Sequence, residues 1–265
     1  MSEGLEAPLL RPDLERRPER LEDNARAGRW DCMVVCCLPR TSSGLSGAER
    51  NALWQLRDDH CNAPFESDSS ETDRMLCDIW NQVFPAESIQ EADNSKRWQR
   101  LGFQSSNPRT DVRTGCYALQ QLHYFATKHT QLVQQLVQQS QELDYPFAIT
   151  CFNVTHMVVV FFDLFNTETV SPVSGATPAS LTQLHHFSSL CCKSTHGARA
   201  VLDELICALM ERVHLTWKDM RVSQNCNLMA FPEALKKTYA VNASFWNYPR
   251  QEITDLRLLT RSEQS

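Results

Sequence analysis

The amino-acid sequence predicts an all-α protein built around a single multi-helix domain. Apolar residues recur at helical spacing over most of the chain, and no stretch alternates apolar and polar residues with period two for long. The clearest apolar stripe covers about four helical turns and consists of Ala198, Val201, Leu202, Leu205, Ile206, Leu209, Met210 and Val213. A stripe of this kind predicts a helix with one face in the core.

An earlier helix is predicted between residues 69 and 85. An acidic, Ser/Thr-rich start at Ser69–Asp73 is typical of a helix N-terminus, and Phe84-Pro85 closes the segment. The buried face is indicated by apolar residues at i, i+3, i+4 and i+7, namely Leu76, Ile79, Trp80 and Val83.

Two further helices are predicted between residues 119 and 143. Eight glutamines lie between residues 120 and 141, which resembles a low-complexity tract, but apolar residues recur at helical spacing among them. We therefore interpret the glutamines as the solvated face of helices.

The apolar run from Phe147 to Phe165 is ambiguous from periodicity alone. Its three consecutive valines favour a strand, whereas its length favours a helix. The run also contains Asn153, His156 and Asp163 and lacks flanking anchors, so we expect a buried core helix and not a membrane span.

The predicted domain boundaries follow from changes in pattern along the chain. Residues 166–182 read as a loop, and Pro232 fits the first turn of a last helix that carries Leu235 and Tyr239. We expect a disordered tail over residues 1–45, a helical domain over residues 46–243 and a C-terminal tail over residues 244–265.

Composition limits the classes of partner and compartment. The formal charge is −6 with no basic stripe, which argues against nucleic acid as a partner. The eleven cysteines are not spaced as a disulfide framework and the first residues lack a signal-peptide pattern, so we expect reduced thiols and a cytoplasmic protein. The sequons at Asn153 and Asn242 are then accidental.

Arg113 is the charged residue whose place is hardest to assign. It follows Val112 and precedes Thr114-Gly115, shortly before the helical pattern at Leu119 begins. A surface or ion-paired arginine is the common interpretation of such a residue. The turn-forming residues on both sides, however, put Arg113 on or beside a loop between rigid elements, where functional side chains often lie.

The stretch from Trp98 to Phe125 resembles the signature of the ELMO domain, and the resemblance extends over roughly residues 48–242. The matching positions are Trp98, Leu101, Gly102, Phe103, Gln104, Pro108, Thr110, Asp111, Arg113, Leu119, Leu122, Tyr124 and Phe125. So many matches in order are more specific than a short motif.

The resemblance implies a GTPase-activating protein for Arf or Arf-like small GTPases in their GTP-bound form. Arg113 would be the catalytic residue, supplied in trans to the partner GTPase, so the chain would act on that partner and not through a substrate pocket of its own. It would need no cofactor, because Mg²⁺ and nucleotide belong to the partner. The alternative is a non-catalytic adaptor of the same fold that binds a small GTPase or an exchange-factor complex.

Residues around Arg113 are expected to position the loop or to contact the partner: Gln104, Thr110, Asp111, Thr114 and Gly115. Asp111 is expected to cap the following turn or to pair with Arg113. Two features differ from the ELMO pattern: Val112 replaces an aromatic residue, and Thr114-Gly115 lacks the first of two glycines and is one residue shorter than the pattern.

Two groups of cysteines suggest other chemistry. Cys36 and Cys37 lie beside an apolar patch in the N-terminal tail, so S-acylation would place the protein peripherally on internal membranes; the cluster lacks zinc spacing, and no metal site is predicted. Cys191-Cys192 with His196 lacks an identifiable acidic partner, so we expect a structural role and find no spacing that supports an independent hydrolase.

Overall fold

The computed structural model describes residues 44–93, 95–112, 115–165 and 171–261. Within these ranges the chain is helical and has no strand, which confirms the all-α prediction. The predictions for residues 1–43, which include Cys36 and Cys37, and those for Arg113 and Thr114 lie outside the described residues.

Eight α-helices form the body of the protein. They are α1 (Gly47–Trp54), α2 (Ser70–Val83), α3 (Cys116–Lys128), α4 (Thr130–Glu142), α5 (Phe147–Phe161), α6 (Leu181–Lys193), α7 (Gly197–Gln224) and α8 (Phe231–Phe245), counted within the described ranges. A π-helical segment, Gln55–Cys61, continues α1. Short 3₁₀ helices cover Pro85–Glu87, Lys96–Leu101, Pro108–Asp111, Leu228–Ala230 and Ile253–Thr260.

Helix α7 lies at the centre of the fold. It packs against α3, α5, α6, α8 and the 3₁₀ helix Ile253–Thr260. The predicted stripe is buried on it, because Leu202, Leu205 and Leu209 are fully inaccessible to solvent. The sequence therefore identified the main core helix correctly.

The start and the buried face of α2 also agree with the sequence prediction. The Ser69 side chain accepts a hydrogen bond from the backbone N–H of Thr72, as expected for an N-cap. The four apolar residues of the predicted face are all buried. Helix α2 uses this face to pack against α3 and α4.

The ambiguous apolar run is helix α5 and is buried on nearly all sides. In the described part of the chain, no single helix has the length and apolarity needed to cross a membrane, although α4 and α5, bent by 112° at their junction, together pass such a test. The glutamines on α4 lie at its exposed or half-buried positions, but Gln121 on α3 is fully buried.

The packed part of the chain is longer than the predicted domain, 46–243. Leu45 is buried at one end. At the other end Trp246 is fully buried against Phe162 and Phe187, and the 3₁₀ helix Ile253–Thr260 covers α7. Packing therefore continues past the predicted boundary at residue 243, because Phe245, Trp246, Leu256 and Leu259 are core residues.

Candidate functional site

The segment before Arg113 is anchored by aromatic residues in the core. Trp98 is fully buried, and its ring meets Trp80 and Phe103 edge-to-face with centroid distances of 5.4 and 5.7 Å. Its indole N–H donates a 2.8 Å hydrogen bond to the Asp93 carbonyl. These contacts fix the start of the loop that runs from Gly102 to Gly115, here called the arginine loop.

Gly102 lets the arginine loop leave the core beside α5. Its φ of +87° is in the left-handed region, and a Cβ atom there would lie 2.2 Å from the backbone nitrogen of Phe147. Because neither the conformation nor the space suits another residue, glycine is required at this position.

Asp111 shapes the arginine loop from within. The residue is 7% exposed, and its Oδ2 accepts hydrogen bonds from the backbone N–H groups of Gln104, at 2.8 Å, and Ser105, at 3.1 Å. The prediction that Asp111 caps the following turn is therefore wrong in direction, because the carboxylate caps the preceding turn. Its pairing with Arg113 lies outside the described residues.

Hydroxyl and amide side chains close the turn around Pro108. The Thr110 hydroxyl donates to the Asn107 carbonyl at 2.8 Å and lies 2.8 Å from the Ser105 hydroxyl. The Asn107 side chain accepts from the Arg109 N–H. Thr110 thus stabilises the loop, whereas the Gln104 side chain is exposed and free to face a partner.

Arg109, a second arginine of the loop, is engaged within the domain. Its guanidinium forms an ion pair with Asp73 near the start of α2, and its side chain is only 15% exposed. This residue therefore ties the arginine loop to α2 and provides an internal comparison for Arg113.

The structure places both chain neighbours of the Arg113-Thr114 pair. Val112 is buried, with 6% of its surface exposed. Gly115 has a φ of +90° and stands immediately before the first residue of α3. The chain thus enters the pair from a packed residue and leaves it through a conformation that favours glycine.

Polar contacts that the sequence did not reveal hold the first turn of α3. The buried Tyr117 hydroxyl donates to Asp203 Oδ1 at 2.7 Å, and Arg199 pairs with Asp203 Oδ2 at 3.4 Å. Arg199 also contacts His60 and Gln120. We call these five residues the Arg199 cluster. Their sequence separation of up to about 140 residues explains why no local pattern indicated them.

Burial and charge shift the protonation of the cluster. Burial raises the pKa of Asp203, against the opposing effects of the Tyr117 hydrogen bond and of Arg199. Burial and the nearby Arg199 charge lower the pKa of His60. A neutral His60 can accept a hydrogen bond from the guanidinium through Nδ1, which agrees with the observed contact.

Comparison with known proteins identifies the family. A family model described as the ELMO/CED-12 family matches residues 55–235, from the π-helical segment to α8. The chain belongs to the ELMO/CED-12 family.

Named relatives agree with this assignment. ELMO domain-containing protein C of Dictyostelium discoideum is 26% identical over 174 residues, which are 65% of this chain and 26% of that protein. ELMO domain-containing protein 2 of Bos taurus is 31% identical over 129 residues, 48% of this chain and 41% of the relative. ELMO domain-containing protein B of Dictyostelium discoideum is 33% identical over 129 residues, 48% of this chain and 44% of the relative.

The chain therefore spans less than half the length of these relatives. No solved structure is significantly similar to it.

The two departures from the ELMO signature have different structural settings. Val112 is buried, so a smaller apolar residue occupies the core position where the family pattern has an aromatic one. The retained glycine, Gly115, has the positive φ that an L side chain rarely adopts. The missing first glycine falls between Arg113 and Gly115, where only Thr114 stands, and Thr114 lies outside the described residues.

Cysteine chemistry gains no support from the described part of this ELMO-family chain. Burial raises the pKa of Cys61, Cys191 and Cys207, and that of Cys151 to about 12. A nucleophilic thiol needs a lowered pKa. Cys191 is buried and Cys192 is exposed, because adjacent residues on a helix point in different directions. Among the described residues, no group of side chains could hold a metal ion.

A groove of about 340 Å³ lies between the end of α2 and α4, and the arginine-loop residues do not line it. Its walls include Phe84, with the Arg100 guanidinium 4.5 Å from the ring centroid, and Arg100 is also paired with Glu87. The arginine loop is therefore separate from this concavity.

Proposed function

We propose that this ELMO-family chain activates GTP hydrolysis in an Arf-family small GTPase and that Arg113 is the residue supplied in trans. One observation carries the proposal: the arginine loop is fixed by buried contacts up to Val112, the residue to which Arg113 is bonded. Asp111 binds two backbone N–H groups and Val112 lies in the core. An arginine next to fixed backbone can be presented at low entropic cost.

The chemistry of phosphoryl transfer explains why the residue is an arginine. Hydrolysis develops charge on the transferred phosphoryl group and at the bridging oxygen, and a planar, permanently charged guanidinium can donate several hydrogen bonds there at once. A lysine offers a point charge without this fork. An arginine supplied in trans contributes about 10³- to 10⁵-fold to the hydrolysis rate of small GTPases.

The proposal is tested by measuring binding and hydrolysis separately. GTP-loaded Arf and Arf-like proteins are titrated with the wild-type chain and with Arg113→Ala, and single-turnover hydrolysis is followed at saturation. We expect the wild type to accelerate at least one GTPase by about 10³-fold or more, and Arg113→Ala to bind that GTPase without accelerating it.

The adaptor alternative gives a different pattern. A wild-type chain that binds a GTP-loaded GTPase without changing its hydrolysis rate would overturn the activator proposal and support an adaptor. Acceleration that survives in Arg113→Ala would overturn the assignment of the catalytic residue.

We further propose that the protein is cytoplasmic and reaches internal membranes through S-acylation of Cys36 or Cys37. The support is the sequence, in which both thiols adjoin an apolar patch flanked by Arg29 and Arg40. Hydroxylamine-sensitive labelling of the wild type that is lost in the Cys36→Ser, Cys37→Ser double variant is the expected result. Equal labelling of both proteins would contradict it.

A further inference from the structure

Arg199 uses all three guanidinium nitrogens, one within α7 and two that join α7 to the π-helical segment and to α3. Nε lies 3.4 Å from Asp203 Oδ2 on α7, Nη1 lies 3.2 Å from His60 Nδ1 on the π-helical segment, and Nη2 donates to Gln120 Oε1 on α3 at 3.1 Å. Asp203 is almost completely buried, so the guanidinium also balances its charge.

The same contacts reach the point where the chain leaves the arginine loop. Gln120 links Arg199 to Cys116, because its amide Nε2 donates to Cys116 Sγ at 3.3 Å while its Oε1 accepts from Arg199. Cys116 follows Gly115 directly. On the other side, a Cβ at Gly115 would lie 3.8 Å from the Ala63 carbonyl and 3.9 Å from the Cys61 carbonyl, at the end of the π-helical segment.

We propose that Arg199 is a positioning residue for the arginine loop, holding Gly115 and the first turn of α3 against the π-helical segment and α7. The inference rests on the proposed function of Arg113 for its effect on catalysis, and on the contacts alone for its effect on the loop. Asp111 fixes the loop before Arg113, and Arg199 fixes the chain after it.

Arginine is suited to this role by its shape. A lysine at position 199 keeps the positive charge beside Asp203, but one ammonium cannot reach three acceptors that lie in different directions. Arg199→Lys therefore keeps the positive charge beside Asp203 but loses the simultaneous contacts with His60 and Gln120. Gln120→Ala is a second, milder variant, because it removes the link to Cys116 at a half-buried helix position where alanine is favourable.

Two readouts on the full chain test the proposal. Alkylation by iodoacetamide is followed site by site by mass spectrometry over a range of pH, so that rates are compared per thiolate, because loss of the Gln120 hydrogen bond by itself raises the pKa of Cys116. The corrected rate should be higher at Cys116 in Arg199→Lys and in Gln120→Ala than in the wild type, with the exposed Cys192 unchanged as an internal reference. With the responding GTPase, Arg199→Lys should lower the stimulated kcat roughly 10- to 100-fold while KM for the GTPase stays the same.

Arg221→Lys is the matched control. Arg221 also lies on α7 and donates to a backbone carbonyl, that of Cys226, but at the far end of the helix. Both readouts should stay at wild-type values in this variant.

The outcomes separate this inference from the proposed function. Unchanged Cys116 alkylation in both test variants would overturn it, as would a rise in KM at constant kcat, which would make Arg199 a contact residue. If no GTPase responds to the wild type, the proposed function fails while the alkylation rates still decide whether Arg199 holds the loop.

Discussion

At the scale of single residues, Asp111 determines the course of the arginine loop. One of its carboxylate oxygens accepts both hydrogen bonds, from Gln104 and Ser105. Both of these bonds, which lie among the described residues, therefore depend on one acceptor atom, Oδ2. A buried acceptor that serves two backbone donors is costly to remove, because both donors then lack a partner.

We predict that Asp111→Ala destabilises the protein by about 1–3 kcal/mol and that Asp111→Asn costs less, because the amide oxygen can accept both hydrogen bonds. Urea denaturation gives the free energies of unfolding, and hydrogen exchange at Gln104 and Ser105 reports the two bonds directly. Faster exchange is expected in Asp111→Ala only. Equal destabilisation by both substitutions would show that the negative charge, and not the acceptor geometry, matters.

The burial of a residue was predictable from the sequence where it depends on a local apolar pattern. The predicted apolar face of α2 and Leu202, Leu205 and Leu209 of the predicted α7 stripe are buried. The partners of Asp111 and of Arg199 were not predictable, because side-chain hydrogen bonds depend on the path of the backbone in three dimensions. Tyr117 offered a local signal, because it lies within an apolar helical pattern two residues beyond Gly115. A buried tyrosine hydroxyl needs a hydrogen-bond partner, although the sequence does not show which residue supplies it.

At the scale of elements, hydrogen bonds hold α3 against α7. Two tyrosines of α3, seven residues apart, donate to neighbouring carboxylates of α7: Tyr117 donates to Asp203, and Tyr124 donates to Glu204 at 2.6 Å. His129 contacts the same Glu204 at 3.0 Å. Because α3 begins where the arginine loop ends, the orientation of the loop is linked to the central helix.

A second polar contact joins α4 and the turn before α5 to α7. His214 Nδ1 lies 2.9 Å from the Tyr145 hydroxyl, and His214 Nε2 lies 2.9 Å from Gln139 Oε1. Burial, with a smaller effect from Lys218, lowers the pKa of His214 from 6.5 to about 4. The imidazole is therefore neutral in the folded protein at pH 7.

The low pKa predicts a pH-dependent loss of stability. The unfolded chain binds a proton at His214 near pH 6.5, whereas the folded chain binds it only near pH 4. The contribution of the neutral His214 to the free energy of unfolding is therefore complete above pH 6.5 and is lost as the pH falls to 4. The loss is of the order of 3 kcal/mol. Urea denaturation from pH 7 to 4 should show a shallower decline for His214→Gln than for the wild type; parallel declines would contradict the assignment.

Helices α2, α3, α4, α7 and α8 were predicted from periodicity and α5 from the length of its apolar run, whereas α1 and α6 were not predicted as separate helices, and the helix ends were less clear than the helices themselves. Helix α2 was predicted at both ends because Ser69 and Pro85 mark them. The continuation of α1 as a π-helical segment was not predicted, because Gln55–Cys61 is polar and its buried Leu56 and Cys61 depend on tertiary packing.

At the scale of the whole molecule, the C-terminal segment completes the core. Trp246 is fully buried, and Leu256 and Leu259 of the last 3₁₀ helix lie against α7. Burying each such side chain contributes about 1.5–3 kcal/mol. The C-terminal segment therefore contributes a large share of the net free energy of unfolding of a domain, which is small. The sequence did not show this because the repeat of Ile253, Leu256 and Leu259 at every third residue is too short to predict a helix with a buried face.

We predict that a chain ending at Ala243 is aggregated or largely unfolded, whereas a chain ending at Arg261 keeps the wild-type thermal midpoint. The first truncation exposes the apolar surface of α7, and the second retains all described packing. Circular dichroism melts and size-exclusion chromatography check both proteins. A monomeric, cooperatively unfolding chain ending at Ala243 would restore the original boundary.

The function proposed for the whole molecule depends on Arg113, and its most direct test is the single-turnover rate of GTP hydrolysis in the responding Arf-family protein. Arg113→Lys is compared with Arg109→Lys at saturating concentrations of the chain. Arg109 is four residues away, and a lysine there can still pair with Asp73.

We predict that Arg113→Lys loses about 10²-fold or more of the stimulated rate and that Arg109→Lys stays within about threefold of the wild type. Equal stimulation by the wild type and Arg113→Lys would contradict the account.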